Sequence, residues 1–410
     1  MSDRHPPYWV FVTVLALLTI FPPLATDMYL SAMHELEGVL NASAAGVEMS
    51  LSLFFLGLCA GQLMMGPLIE GYGRKVPLIC GAALFTVSSL ALLFTRDITV
   101  FNSLRFVQAV GACAGMVVGR AMVSDLFTGR QMAKTLTVLV MLMTVGPIAA
   151  PFLGSVLYTY LGWQAIFVAM IVIGCVAAIL AQITLPETLP AAKRQPKAFR
   201  GAFRSYGTLI ARPAFVVATL SAALIQGAMF AFITGSAGVF KTGFGLGNMQ
   251  YGLIFGLVAA ALMLSSHLNT KLLDRVSPEA LIGRGLPVIV MLALGLVMLS
   301  GTTNLWVYVV PLWLVMGMVG LLTANMMAVA MGAARAMAGV GSALVGAIQF
   351  AIAFLCSSSV ALIPVSDGLA MAVGIAAPAT LSAVIWFAGR ALGAFVGLEP
   401  DEQALVQEPL

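Results

Sequence analysis

The chain has 410 residues, 61% of them hydrophobic and only 9% charged, with a formal net charge of +4. A soluble domain carries about 25% charged residues, so this composition excludes a soluble globular protein and indicates a polytopic membrane protein. The positive excess follows from the charge bias of the loops, and no basic patch with interleaved aromatic residues occurs outside them, which argues against nucleic-acid binding.

A membrane-crossing helix needs about 20 apolar residues. On that criterion twelve spans are predicted, at approximately 9–33, 46–66, 77–95, 99–121, 136–158, 163–184, 214–240, 249–268, 283–301, 305–331, 341–363 and 370–389. The first run is too long for the apolar region of a signal peptide and is expected to remain as an anchor. With the N-terminus inside, all Lys and Arg except Arg96, Lys241 and the intramembrane Arg105 fall on the cytoplasmic side. This bias follows the positive-inside rule, and an odd error in the span count would scramble it. Both termini are therefore expected in the cytoplasm.

Span 1 holds Asp27, within Pro22-Pro23-Leu24-Ala25-Thr26-Asp27-Met28-Tyr29-Leu30, as the single carboxylate inside the apolar part of any predicted span. An ionised Asp near the bilayer centre costs about 2.5–3.5 kcal/mol on insertion scales, so such a residue faces a cavity or a partner charge. That cost suits a group that takes up and releases a proton. The alternative is a static pair that only orders helices. Arg105 lies about six residues from the outer end of the oppositely directed span 4, as Asp27 does in span 1. At 1.5 Å per residue both sit about 9 Å inside the outer boundary.

Farther along, Arg120 and Asp125 at the inner end of span 4 are expected near Glu70 and Arg74, in a gating or structural role. Span 5 carries Gly146, Ala150 and Gly154 at i, i+4, i+8, a face that allows close helix approach. Pro147 and Pro151 remove backbone donors beside that face and bend the helix. Tyr29, Gln108, Gln226, Asn325 and Gln349 are polar residues inside spans and candidates for substrate contact, although a lone polar residue there more often joins two helices. Phe230 and Phe232, with many of the 24 methionines, suit an adaptable apolar wall. Glu48 is expected to be solvated at the outer interface. The five cysteines fall in spans without metal-ligand spacing and are assigned to packing.

Six spans precede Leu185 and six follow Arg212. This divides the chain into an N-terminal bundle (1–184), a basic linker (185–212), a C-terminal bundle (213–390) and a tail (391–410). Phe199, Phe203, Tyr206 and Ile210 share one helical face in the linker, consistent with an amphipathic helix on the inner leaflet; a disordered tether is the other reading. Gly66-Pro67-Leu68-Ile69-Glu70-Gly71-Tyr72-Gly73-Arg74-Lys75 and Lys271-Leu272-Leu273-Asp274-Arg275-Val276 each place an acid and then a base after the second span of a half. Such parallel repeats build many secondary transporters. There is no His-Glu-x-x-His helix, no paired intramembrane acids and no nucleophile–base set, so an enzyme is not expected.

These motifs together resemble the major facilitator superfamily, in its twelve-span drug:proton antiporter group and the bicyclomycin/chloramphenicol-resistance subfamily. Asp27-Met28-Tyr29-Leu30 is similar to the subfamily's span-1 motif, with Ser31 in place of the usual Pro. Gly66 to Lys75 is similar to the superfamily's loop after span 2, with Glu70 and Gly71 replacing the common Asp and Arg while Gly73, Arg74 and Lys75 match. Leu104-Arg105-Phe106-Val107-Gln108-Ala109-Val110-Gly111 resembles the span-4 motif, and Gly146 to Gly154 the antiporter signature. Gly162-Trp163-Gln164-Ala165-Ile166-Phe167 and Leu185-Pro186-Glu187-Thr188 match the start and exit of span 6, and Gly341 to Gly346 looks similar at span 11.

The resemblance implies an all-α membrane protein: twelve transmembrane helices in two six-helix bundles around a central cavity lined by spans 1, 4, 7 and 10. Asp27 and Arg105 would then approach each other and couple to protons, unless they form a permanent salt bridge. Asp27, Tyr29, Gln108, Gln226, Phe230, Asn325 and Gln349 would contact substrate. Gly66, Glu70, Gly73, Arg74, Arg120 and Asp125 would serve gating, with Gly146, Pro147, Pro151 and Gly154 as a pivot or seal against the second half. The implied activity is proton-coupled export of small amphipathic drugs by a single chain in the bacterial inner membrane, with no cofactor beyond the proton gradient. Export of a native metabolite is the alternative.

Overall fold

The computed structural model describes residues 7–127, 129–194, 198–334, 337–363 and 366–395. Arg335, linker residues 195–197 and most of the expected 391–410 tail lie outside the described residues, as do the side chains of Pro147, Arg130 and Arg200. The described residues form helices and no strand. In chain order these are α1 (Tyr8–Val39, interrupted), α2 (Ala44–Tyr72), α3 (Lys75–Phe94), α4 (Ile98–Leu126), α5 (Gly129–Leu161) and α6 (Trp163–Thr184). The linker contributes α7 (Ala198–Ile210). After it come α8 (Pro213–Gly243), α9 (Asn248–Leu273), α10 (Pro278–Met298), α11 (Leu305–Ala334), α12 (Ala338–Leu362) and α13 (Asp367–Ala391). Among the described residues, 11 helices are long and apolar enough to cross a membrane, and α5 adds the apolar segment Ala149–Leu161 within a 33-residue helix.

The helices overrun the predicted spans because hydropathy locates the apolar stretch, whereas the helix ends where a cap satisfies its free N–H groups. Ser43 Oγ accepts from Gly46 N at 3.2 Å before α2, and Asp97 Oδ1 accepts from Val100 N at 2.9 Å before α4. Span 1 departs most from expectation. Pro22 and Pro23 have no N–H to donate, and the regular helix stops at Thr19. A π-helical turn, Leu24–Met28, and a 3-10 turn, Tyr29–Ala32, carry the chain on to the helix Met33–Val39. Asp27 therefore sits in an irregular turn and not on a straight helix.

In the first half, α4 packs against α2 and α3, and α3 against α6. In the second, α8 packs against α11, α12 and α13, while α11 also meets α9 and α10. The halves meet along two seams, α2 with α12 and α5 with α9. The small-residue face of α5 does not make the second seam. It faces α1: a side chain at Gly146 would meet Pro23, and one at Gly154 would run into the backbone of Met28. The next residue, Ser155, and Phe152 face Gly252 of α9 instead. The broken turn of α1 needs a neighbour without side-chain bulk, and that use claims the glycines expected to seal the halves.

A larger residue at 154 overpacks this contact. Gly154→Val is expected to destabilise the purified protein by about 1–3 kcal/mol, read as a lower melting temperature in detergent. Gly295→Val, at a position with open space, leaves it unchanged.

Candidate functional site

The π-turn of α1 places Asp27 at 1% exposure, where its Oδ1 accepts one hydrogen bond from Thr26 Oγ1 at 3.0 Å. Among the described residues no Lys, Arg or His nitrogen lies within 4.0 Å of it. Tyr251 of α9 is bonded to Ser236 Oγ at 3.0 Å. Arg105 of α4, equally buried, takes other partners. Its Nη2 donates to the carbonyl of Ala25, inside the π-turn, at 2.9 Å, and Nη1 donates to Gln108 Oε1 at 2.6 Å. The rings of Tyr29 and Phe54 each lie 4.5 Å from the guanidinium carbon. Cation–π contacts of this kind contribute about 0.5–2 kcal/mol each. The expected approach of Asp27 and Arg105 thus brings both to one turn, the guanidinium of α4 holding its backbone and the Asp27 carboxyl group standing apart.

The other candidate contacts disperse. Gln108 is occupied by Arg105 and Ser89, donating to Ser89 Oγ at 2.7 Å, and Tyr29 accepts from Ser50 Oγ at 2.9 Å. Asn325 joins α11 to α9 by donating to Asn269 Oδ1 at 2.7 Å. Phe230 of α8 lies across the seam, 4.5 Å from Phe55 and 6.0 Å from Phe350 between ring centroids. Phe232 stacks on Phe255 at 4.9 Å. Gln349 is buried with Nε2 lacking a partner, and Gln226 is half-buried on α8. None of these residues lines either of the two cavities described below.

A hydroxyl chain missed in the sequence closes the α2–α12 seam. Ser357 lies 2.8 Å from Ser52 and 2.7 Å from Thr234, joining three helices across the two halves. Lys241, in a second π-turn at Gly238–Gly243, donates to the carbonyl of Ser31 at 3.0 Å. Small hydroxyls in apolar helices give no signal of their own, since they also bond back onto their own helix. Beyond the seam, Glu48 is half-buried and lines a 340 Å³ cavity with Asp367, where simple solvation was expected.

At the linker end the halves separate around a cavity of about 780 Å³. The four residues expected to cluster at its mouth divide into a latch and a separate arginine. Arg74 Nε donates to Asp125 Oδ2 at 3.0 Å, and its Nη1 donates to Glu70 Oε1 at 3.0 Å and to the carbonyl of Ile69 at 2.8 Å. Burial opposes the charge on Arg74, but Asp125 and Glu70 more than offset it and hold its pKa above the ordinary arginine value. Glu187 accepts from the backbone N–H of Arg74 at 2.8 Å and pairs with Arg194 at 3.5 Å, while Thr188 donates to Asp125 at 2.7 Å. Gly73 makes the turn at φ 92°, and a Cβ there would collide with the Glu187 carboxylate. Glu70 thus fills the place of the usual Asp. Gly66 lies beside the Tyr206 hydroxyl, and Pro151 lends its carbonyl to Ser31 Oγ at 3.4 Å. Arg120 reaches Ser342 of α12 at 3.3 Å.

The family model described as Major Facilitator Superfamily matches residues 15–357, and the chain belongs to that superfamily. It is 26% identical to a bicyclomycin resistance protein homolog of Haemophilus influenzae over 94% of this chain and 97% of that one. It is 28% identical to a chloramphenicol resistance protein of Pseudomonas aeruginosa over 75% and 74% of the two chains. It is also 34% identical to an uncharacterised MFS-type transporter of Bacillus subtilis, over 62% of this chain and 63% of that relative's length. Among solved structures, a D-xylose-proton symporter superposes with a TM-score of 0.76 at 13% identity, covering 96% and 98% of the two chains, a likeness of fold. The chain is therefore a membrane transporter and not an enzyme, within the drug-resistance branch its motifs resemble.

Removing the latch arginine leaves Asp125 with Thr188 alone. Arg74→Ala is expected to cost about 1–3 kcal/mol, between the exposed and buried limits for ion pairs. Arg74→Lys recovers part of it, because one ammonium does not reproduce the planar fork. Equal melting temperatures for wild type and Arg74→Ala would remove the latch from the account.

Proposed function

We propose that this chain is a proton-coupled exporter of small amphipathic antimicrobial compounds, phenicol- or bicyclomycin-like, working by alternating access in the inner membrane of a bacterium. The observation that carries this reading is Asp27, an acid buried in a broken turn without a basic partner among the described residues. The names of the relatives from Haemophilus influenzae and Pseudomonas aeruginosa support the substrate class.

On this reading α5 is the fifth of twelve spans, and bundles 1–184 and 213–390 are joined by a cytoplasmic linker, 185–212. Both termini are cytoplasmic, and the chain acts alone with no cofactor. The cavity at the linker end then opens toward the cytoplasm, and the Ser52–Ser357–Thr234 chain closes the outer side. An isolated carboxylate in apolar surroundings is costly, so burial of Asp27 and its proton uptake accompany each other. Rocking the halves about the α2–α12 and α5–α9 seams exposes Asp27 alternately to the two sides. Arg105 acts as a positioning residue: it holds the Ala25 carbonyl and so keeps the turn that carries Asp27 in shape.

The test is growth of a drug-sensitive bacterial host on phenicols, bicyclic peptides, lipophilic cations and dyes. The host carries wild type, Asp27→Asn or an empty vector at matched expression. Wild type is expected to protect, and Asp27→Asn and a protonophore each to abolish protection. Protection that survives in Asp27→Asn removes the proton site from Asp27. A wild type that protects against no compound moves the reading to export of a native metabolite.

A further inference from the structure

The cavity at the linker end holds two arginines in different circumstances. Arg74 is matched by Glu70 and Asp125, as described above. Arg120, on the α4 wall of the same cavity, donates from Nε to its own helix at the Met116 carbonyl, 3.1 Å away. From Nη1 it makes the 3.3 Å bond to Ser342. Among the described residues no carboxylate lies within 4.0 Å of it. The remaining N–H groups of its guanidinium have no acceptor among the described residues.

Gln62 of α2 stands in the same wall. It is only 3% exposed, yet its amide has no hydrogen-bond partner among the described residues. Gly346 of α12 provides the room for it: a Cβ there would lie 3.1 Å from the Gln62 amide carbon. Arg120 is exposed to the cavity, so its free N–H groups and the Gln62 amide are available to whatever occupies it. The Tyr206 hydroxyl completes the polar set from the linker helix, and burial raises its pKa above the ordinary phenol range, so it stays a neutral donor. Ile69, Val117, Leu136 and Val340 supply apolar wall. A cavity of about 780 Å³ with a few convergent polar groups on an apolar lining has the size and character of a small-molecule site.

We propose that Arg120 and Gln62 form a recognition subsite at the linker end for amphipathic compounds bearing a compact oxygen acceptor, monoanionic or neutral, and that this subsite disfavours lipophilic cations. The guanidinium takes the acceptor oxygens and the amide takes a second polar group. The apolar body of the compound lies against Val117 and Val340. Because Arg120 and Gln62 belong to the first half of the chain and Ser342 and Gly346 to the second, an occupant touches both halves and biases their separation. This assignment rests on the exporter reading and names the chemistry of its substrate.

The experiment is equilibrium binding to the purified full chain in lipid nanodiscs, with three probes: chloramphenicol succinate, chloramphenicol and tetraphenylphosphonium. Wild type is expected to bind the first two in preference to the cation. Arg120→Gln is expected to lose about tenfold or more in affinity for the succinate, the scale of one charged hydrogen bond. It leaves tetraphenylphosphonium binding unchanged or stronger. Arg120→Lys keeps the preference for the anion, and Gln62→Ala weakens both phenicols. Melting temperatures taken alongside show whether each variant is folded. Wild-type affinities for all three probes in a folded Arg120→Gln overturn the subsite, as does equal loss of all three. A wild type that prefers the cation, or binds none of the probes, overturns it too. The exporter reading stands or falls separately, on the growth panel with Asp27→Asn.

Discussion

Inside a bilayer every backbone polar group must find a partner in the protein, and Pro22-Pro23 breaks that rule in the middle of the first helix. Much of the first half is arranged around the repair. The hydrogen-bond ladder widens into a π-turn, and Arg105 reaches from α4 to the carbonyl of Ala25 within it. Gly154 lets α5 approach against the Met28 backbone, and Ser31 bonds Ser155 at 2.9 Å just beyond. The same distortion moves Asp27 off a regular helix into a setting with Thr26 as its hydrogen-bond donor. The irregular backbone and the candidate proton site are therefore one feature.

The second half repeats the device in a different place. α8 ends in the π-turn Gly238–Gly243, and Lys241 from that turn returns to the carbonyl of Ser31. Two broken helices thus meet across the division of the chain. The seams between the halves include hydroxyls, an aromatic pair and a glycine contact, and lack a continuous ion-pair network among the described residues. A seam without ion pairs can part at lower electrostatic cost, which the proposed alternating access requires. The strong charge pairs sit instead at the linker end, where Arg74, Glu70, Asp125 and Glu187 bind the loop after α2 to the ends of α4 and α6 within one half.

The linker illustrates how a helix can satisfy two environments. α7 forms, as its spacing suggests, but the expected single apolar face is divided. Tyr206 and Leu209 turn inward against the bundle, while Phe199 and Phe203 remain outward. Rolling the helix slightly toward the cavity accommodates both, because its apolar arc is broader than a bundle contact requires. The consequence is that the linker is part of the cavity wall and not only a tether.

Composition and charge bias by themselves determined that the chain is a membrane-embedded helical protein, and hydropathy located its apolar helices to within a few residues. The motifs determined its superfamily, and the scarcity of intramembrane charge singled out Asp27 and Arg105. Those properties are local or statistical, and a linear reading contains them. Only the tertiary structure decided which partner each charge takes. Arg105 chose a backbone carbonyl inside the π-turn, the glycines of α5 chose α1, and Arg120 and Gln62 were left facing a cavity. Such choices depend on which surfaces meet in three dimensions and on how a broken helix bends, and neither is written in the spacing of residues along one helix.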